Sequence, residues 1–285
     1  GWGGMSRKSL MEKVYIVVLN YNRRDDTLEC VRSLYDMDYP DFRVLVVDNA
    51  STDGSARAVR EAFPRAEVIE NQENLMYAGG NNAGIRNALS EGADWILLIN
   101  NDTVVHPAML TEMMRALEGF PGAGMAGPMI YYYPPKQDGP ETIWYAGGVV
   151  ELWMGLTAHR GIREADRGQY AGVEETAYVT GCGMLISREC IEKVGMLDTS
   201  FTMYAEDADL SLRAKKAGFK LLFVPGAVMW HKVSMSAGGE FGAYKLRHKA
   251  RSNLLLFARH AKPWHWLTAP PLVLVRIILQ FIKHI

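Results

Sequence analysis

The first hundred residues alternate short apolar runs with stretches whose apolar positions recur every three or four residues. Val14–Leu19 (VYIVVL) is short, β-branched and continuously apolar, which predicts a strand buried on both faces. Leu28, Val31 and Leu34 then share one helical face, with Asp25 or Asp26 placed to cap that helix. Phe42–Val47 (FRVLVV) predicts a second strand, Asp53–Phe63 a second helix, and Ala66–Ile69 a short third strand. Gly80–Leu89 predicts a third helix, stopped by Gly92. Trp95–Ile99 (WILLI) predicts a fourth strand, and Pro107 opens a fourth helix at its first turn. Strands and helices alternating over short links predict an α/β domain, its mostly parallel sheet covered by helices on both faces.

The pattern is less regular after residue 120. Tyr131–Pro140 (YYYPPKQDGP) reads as a loop, and Trp144–Leu156 suggests strands around Gly147 and Gly148. Arg160–Gly172 is polar and charged and reads as a mobile segment. Tyr178–Ser187 predicts a buried strand rich in small residues, followed by a helix to Gly195. Asp207–Ala217 predicts a helix ended by Gly218, and Leu221–Val224 a last short strand. Neither repeats nor a long linker interrupt the text, so one continuous domain is the economical reading.

Composition changes this picture little. The 285 residues are 48% hydrophobic and 22% charged, ordinary for a folded globular protein, and long enough for one large domain or two modest ones. A formal net charge of −1 gives no electrostatic reason to expect a nucleic-acid partner. Cys30, Cys182 and Cys190 have neither zinc-site spacing nor an even count, and read as core residues of a reducing compartment. Gly1–Gly4 precede Met5 and carry no fold signal; Met5–Lys13 is polar and charged, unlike a signal peptide. Leu267–Ile285 is apolar but broken by two prolines and Arg276, too short and interrupted to read as a spanning helix. With Lys283, His284 and the upstream Lys245, Arg247, His248, Lys249 and Arg251 it suits a basic amphipathic surface lying on a membrane. A terminal helix packed on the domain is the equal alternative.

In a parallel α/β sheet, ligands bind beyond the carboxyl ends of the strands. Asn20-Tyr21-Asn22, Asp48–Asp53 and Asn100-Asn101-Asp102 each follow a predicted strand directly, so they converge on one edge. Each alone suits a turn with helix caps. Asp102, held after four apolar residues, suits a hard divalent cation on phosphate oxygens, Mg2+ or Mn2+; the spacing to Pro107 is too long for a direct cap. Ala78-Gly79-Gly80-Asn81-Asn82 predicts backbone amides and a helix N-terminus facing an anion, although it is not a dinucleotide fingerprint. Glu206, Asp207 and Asp209 crowd a helix start more than capping requires. Asp209 is four residues before Arg213 and is expected in an ion pair, which leaves Asp207 or Glu206 as a general base. His231 beside Trp230 reads either as a partly buried structural residue or as a metal or phosphate ligand.

Taken in order, these pieces resemble glycosyltransferase family 2 and its GT-A (Rossmann-like) fold, in particular the rhamnosyltransferase-type bacterial members that build cell-surface polysaccharides. The matching text is VVLNYNR (Val17–Arg23), VVDNASTDGS (Val46–Ser55), AGGNNAGIR (Ala78–Arg86), LLINNDT (Leu97–Thr103), TGCGMLISRE (Thr180–Glu189), YAEDADLSLRAKKAGFK (Tyr204–Lys220) and VPGAVMWH (Val224–His231). The resemblance spans roughly residues 13 to 231. It implies a nucleotide-sugar-binding half over 13–120, an acceptor-binding and catalytic half over 121–235, and a C-terminal helical, membrane-associating segment over 236–285. It implies that Asp48 reads the nucleobase, with Asn20 and Tyr21 in the same pocket, and that Asn81 approaches the ribose and diphosphate. Asn101-Asp102 takes the place of the family's metal motif, with Asn100 at its first acidic position and Asp102 as main ligand. Glu206-Asp207 matches the pair that supplies the base, Asp207 being the choice, and His231 matches a late histidine on metal or diphosphate. One departure is Leu75-Met76-Tyr77, where relatives carry a glycine followed by phenylalanine.

The function implied is inverting, metal-dependent transfer of a sugar, rhamnose from dTDP-rhamnose as first choice, onto a lipid-linked or polysaccharide acceptor. The implied place is the cytoplasmic side of the cell membrane, with peripheral membrane contact. The alternative is a non-catalytic nucleotide-sugar or lipid-binding relative. Retention of Asp48, Asp102, Glu206 and Asp207 together favours the enzyme, because binding alone does not need the last two. A dinucleotide-dependent oxidoreductase would need a glycine fingerprint after the first strand, where this chain has LNYNRRDD.

Overall fold

A computed structural model describes residues 12–233 and 243–272. In chain order the elements are β1 (Val14–Asn20), α1 (Arg24–Tyr35), β2 (Phe42–Asp48), α2 (Ser55–Ala62), β3 (Glu67–Glu70), α3 (Met76–Ser90), β4 (Trp95–Asn100), β5 (Thr103–Val105) and α4 (Met109–Gly119). They continue with β6 (Ala123–Tyr132), β7 (Ile143–Tyr145), β8 (Gly148–Glu151), β9 (Leu156–His159), β10 (Glu174–Glu175), β11 (Gly183–Ser187), α5 (Arg188–Val194), α6 (Glu206–Lys216), β12 (Lys220–His231) and α7 (Ala243–His260).

The main sheet runs β10-β12-β6-β11-β4-β1-β2-β3, with β5 on β12 and β7 on β6; β8 and β9 form a separate hairpin. β4, β1, β2 and β3 are mutually parallel, as are β6 and β12. β11 lies antiparallel between β4 and β6. Because side chains alternate along a strand, β1 feeds two cores. Val14, Ile16 and Val18 pack with Val31, Leu34 and Met113 of α1 and α4. Tyr15 and Val17 pack with Ile85, Ala88 and Leu210 of α3 and α6. Each fully buried aliphatic is worth about 1.5–3 kcal/mol, so helices cover both faces of the sheet. All three cysteines are buried and free, in keeping with their reading as core residues.

Several expected boundaries move. Asp25 and Asp26 sit in the first turn of α1 and do not cap it; Asp53, at the end of the next strand's loop, accepts the Arg24 N–H at 3.0 Å. α3 begins at Met76, so Gly79-Gly80-Asn81-Asn82 is helix and not an anion-binding loop. Its glycines allow close packing: a Cβ on Gly80 would meet Leu19 Cδ1 at 2.4 Å, and one on Gly84 would meet Val17 Cγ1 at 2.4 Å. α4 begins at Met109, because the His106 ring accepts the Ala108 N–H and holds Pro107 in the preceding turn. Tyr131 and Tyr132, expected in a loop, are strand, since β6 continues alongside Trp230 and His231. The strand expected over Tyr178–Ser187 is confined to β11. The last strand runs on from Leu221–Val224 to His231, past an irregularity between Val224 and Val228. Arg160–Gly172 is not loose: Arg160 donates to the Ala146 carbonyl at 2.7 Å, and Arg163 N–H to that of Ile143 at 2.7 Å.

No helix among the described residues is long and apolar enough to cross a membrane. The side chain of Lys245, and Lys283, His284 and all beyond Leu272, lie outside the described residues.

Candidate active site

Since β1, β2 and β4 are parallel, their carboxyl ends deliver Asn20, Asp48 and Asn100 to one edge. Asn20 is fully buried and joins the set. Its Nδ2 donates to Asp48 Oδ1 at 2.7 Å and to Ser51 Oγ at 3.1 Å. Its Oδ1 accepts from Thr27 Oγ1 at 2.7 Å and from Asn101 Nδ2 at 3.0 Å. Asp48 Oδ2 accepts the Ser51 N–H at 2.9 Å. The buried carboxylate is thus held by two donors, the Asn20 amide and the Ser51 N–H, which help make its burial tolerable. Tyr21 stands at the same edge and is 49% exposed, an open aromatic face beside this buried network. Thr27 was not foreseen: it lies inside α1, and only the packing of that helix on β1 turns its hydroxyl toward Asn20 and Asn101.

Asn81 lies one turn into α3, with Nδ2 donating to the Tyr77 carbonyl at 3.0 Å. Its Oδ1 is buried without a hydrogen-bond partner among the described residues, an arrangement that costs about 1–3 kcal/mol and marks an acceptor awaiting a donor.

Asp102 and His231 meet although β4 and β12 are not neighbours. β5 pairs antiparallel with β12, placing Thr103 opposite His231. His231 Nε2 is 3.1 Å from Asp102 Oδ1, and the Lys232 N–H donates to the Asp102 carbonyl at 2.9 Å. The Trp144 ring packs edge-on against His231 at 4.5 Å and against His159 at 4.3 Å. Burial pushes the His159 imidazole down to about 4, so it stays neutral at physiological pH. No group of three or more His, Cys, Asp or Glu is placed to hold a metal among the described residues. One carboxylate and one imidazole nonetheless fit a cation completed by phosphate oxygens: Mg2+ and Mn2+ bind through few protein ligands plus substrate, and imidazole suits Mn2+.

The carboxylate pair sits where Tyr204 and Ala205, both at positive φ (69° and 65°), turn the chain sharply into α6. Two consecutive non-glycine residues in this region are uncommon and are tolerated where the surroundings impose them. Asp207 Oδ2 accepts the Gly181 N–H at 2.9 Å and Oδ1 accepts the Ala208 N–H at 2.8 Å. Burial raises the Asp207 carboxyl, and those two N–H groups work against it by favouring the ionised form. Glu206 is only 6% exposed, and its Oε2 has no hydrogen-bond partner among the described residues. Burial, and then the charge of Asp207, push it up to about 8. The partly exposed Asp207 is therefore the better placed of the two to meet a ligand.

Asp209 is occupied as expected, by Arg213 Nε at 2.8 Å and also by His260 Nε2 at 2.8 Å. Against the cost of burial, His260 and Arg213 hold its carboxyl below the usual range. The His260 contact belongs to a seam through which α7 grips the turn before α6. Ser252 Oγ donates to the Met203 carbonyl at 2.7 Å, and His248 Nδ1 meets Thr202 Oγ1 at 2.9 Å.

Two adjacent residues join the two sides of the edge. Gly181 binds Asp207 through its N–H, and the carbonyl of Cys182 accepts the Asn100 N–H at 3.2 Å.

Comparison with known proteins places the chain in a family and a fold. The sequence profile of the family described as glycosyl transferase family 2 matches residues 15–195. An N-acetylglucosaminyl-diphospho-decaprenol L-rhamnosyltransferase of Mycobacterium tuberculosis is 28% identical over 237 residues, covering 78% of this chain and 76% of its own. The O-antigen biosynthesis protein RfbC of Myxococcus xanthus is 28% identical over 79% of this chain, which corresponds to 18% of RfbC. Among solved structures, a mannosyltransferase of Pyrobaculum calidifontis in complex with GDP-Man and Mn2+ is similar in fold. Its TM-score is 0.60 at 21% identity, over 94% of this chain and 76% of that one. GalNAc-T7 with UDP, GalNAc and Mn2+ gives 0.64 at 15% identity, over 87% of this chain and 48% of that one. The fold is GT-A.

Proposed function

The chain belongs to glycosyl transferase family 2, and from that premise we propose that it is an inverting, metal-dependent glycosyltransferase that moves a sugar from a nucleoside diphosphate to a lipid-linked saccharide. The observation that carries this reading is the bridge at the sheet edge. Gly181 and Cys182, neighbours in sequence, tie the Asp207 carboxylate to β4, whose end leads to Asp102. A base and a leaving-group site across one reacting centre are what a single displacement requires.

In this reading the edge formed by Asn20, Asp48 and Asn101, with Tyr21 beside it, takes the nucleoside. The unpaired Oδ1 of Asn81 suits a hydroxyl of the ribose or the sugar, since an acceptor atom repels phosphate oxygens. Asp102 and His231 would hold the divalent cation, which would supply positive charge to a diphosphate leaving group. Asp207 accepts the proton of the acceptor hydroxyl as that oxygen bonds to the anomeric carbon from the face opposite the diphosphate, so the configuration inverts. Glu206, carrying its proton near neutral pH, leaves Asp207 to bear the charge of the pair.

Similarity to the mycobacterial rhamnosyltransferase supports rhamnose as the sugar and an N-acetylglucosaminyl-diphosphoryl lipid as acceptor; dTDP-rhamnose is the donor proposed. Trp264, Trp266 and Leu267 are exposed, as are Arg247, Lys249 and Arg251. Aromatic and basic groups on the C-terminal segment suit peripheral contact with an anionic membrane at its cytoplasmic side, where such a lipid acceptor is reached.

The test is transfer from dTDP-rhamnose with Mn2+ to that acceptor, by the parent and by Asp207→Asn. Loss of turnover with retained nucleotide binding supports the assignment. Parental turnover in a folded Asp207→Asn protein would overturn it, and metal-dependent binding without any turnover in the parent would favour a binding relative.

A further inference from the structure

Tyr77 stands at the start of α3, in the donor half, yet its hydroxyl donates to the Gly181 carbonyl at 2.7 Å, 104 positions away. Gly181 is the residue whose N–H donates to Asp207 Oδ2 at 2.9 Å. Both polar groups of one glycine are therefore committed: one is gripped by a phenol and the other grips the carboxylate. The contact also requires that residue 181 have no side chain. A Cβ there would meet Tyr77 Oη at 2.2 Å and Cζ at 2.9 Å, inside any real contact distance. The half-buried phenol fills the space a methyl group would take.

From this geometry we infer that Tyr77 is a positioning residue for Asp207: its hydroxyl holds the Gly181 backbone in the orientation that aims the amide at the carboxylate. The inference rests on the reading of Asp207 as the base. Tyr77 does not itself take the proton. Its hydroxyl is already spent on a carbonyl, and burial, with the charges of Asp207 and Glu206, keeps the phenol protonated well above its ordinary range. It touches no reacting atom in this role.

The geometry sets the sign of the effect. An amide aimed at Asp207 favours its ionised form. Releasing Gly181 weakens that bond, raises the pH at which Asp207 ionises, and moves the acidic limb of the rate profile to higher pH. Tyr77→Phe keeps the ring and removes only the hydroxyl. With dTDP-rhamnose, Mn2+ and an N-acetylglucosaminyl-diphosphoryl lipid as probes, kcat on the acidic limb should fall about fivefold, the worth of one ordinary hydrogen bond. Donor KM should stay at the parental value, and the limb should shift upward.

A substrate-free arm reads the same coupling. The loss of thermal stability in Tyr77→Phe should grow as pH rises through the range where Asp207 ionises, and that growth should vanish when Tyr77→Phe is placed on Asp207→Asn. An unmoved limb, with a stability loss that is the same at every pH in both backgrounds, would reduce Tyr77 to a packing residue and overturn the inference. The two readings fail differently. A folded Asp207→Asn protein with the parental rate removes the base, whereas an inactive Asp207→Asn beside an unmoved Tyr77→Phe profile removes only the role of Tyr77.

Discussion

His231 Nε2 stands 3.1 Å from Asp102 Oδ1 across 129 positions of sequence. Nothing local to either residue produces this. It follows from β5 turning back beside the last strand, so that the loop after β4 and the end of β12 share one point. A carboxylate and an imidazole at that separation, both largely buried, are what the proposed cation site would be built from, its remaining ligands coming with the diphosphate.

Asp102→Asn should lower metal-dependent turnover by about two orders of magnitude or more, the scale on which leaving-group electrostatics acts. His231→Ala should keep some turnover but need a higher Mn2+ concentration to reach it. Titration of rate against Mn2+ for the parent and both variants measures this, and chelation should stop the parent. Turnover that ignores both chelator and substitution would remove the cation from the mechanism.

Glu206 makes stability depend on pH in a defined direction. Its folded value of about 8 lies above the ordinary 4.5, so the folded protein keeps a proton that the unfolded chain releases. That contribution is complete below the ordinary value and is lost as pH rises through about 8. Glu206→Gln cannot ionise, and its midpoint of thermal unfolding should fall less than the parent's between about pH 5 and pH 8. A variant whose pH dependence matches the parent's would show that Glu206 carries no such proton.

Asn20→Ala should be costly in two ways. It takes one donor from the buried Asp48 carboxylate and leaves Thr27 and Asn101 without their shared acceptor. Unfolding in urea should show a loss of about 1–3 kcal/mol, the penalty for buried polar groups left unsatisfied. Stabilisation of the folded variant by nucleoside diphosphates should shrink as well, because the same residues shape the edge proposed to take the nucleoside. A variant as stable as the parent would mean that water replaces the side chain.

Met76 adopts a positive φ of 58° at the head of α3 and is exposed. A non-glycine residue there carries about 1–2 kcal/mol of steric cost. Met76→Gly should therefore stabilise the protein by up to about 1 kcal/mol, the relief being offset in part by the greater freedom of glycine in the unfolded chain. Denaturant unfolding decides it, and a destabilised variant would show that the Met76 side chain contributes packing worth more than the strain.

The parallel half of the fold was legible because each of its inner strands, such as Val14–Leu19 and Trp95–Ile99, is a continuous apolar run that burial on both faces demands. β6 was not, although it lies inside the sheet. Its Ala-Gly-Met-Ala-Gly-Pro text has the composition of a turn, and those glycines answer to neighbours distant in sequence: Phe219 against Gly124, Val179 against Gly127. β12 was read as too short because Pro225 and Gly226 punctuate it, and the pairing with β6 resumes beyond them. The glycine pair of α3 looked like a break for the same reason, while its actual start depends on Asn49 and Asn74, which bond the N–H groups of Leu75 and Met76. At the site, strand ends announced Asn20, Asp48 and Asp102. Thr27 and Tyr77 were silent because their partners are set by how helices lie on the sheet, which no local pattern records.

The position of β12 gives the protein a built-in order of assembly during synthesis. Asn20, Asp48, Asn101 and Asp102 all precede β5 in the chain, at the ends of β1, β2 and β4. His231 comes from the last strand, which must pair with β6 and reach β5 to deliver it. In the proposed reading, the residues of the nucleoside edge are therefore synthesised well before the last partner of the cation site, which is delivered only when β12 pairs into the sheet.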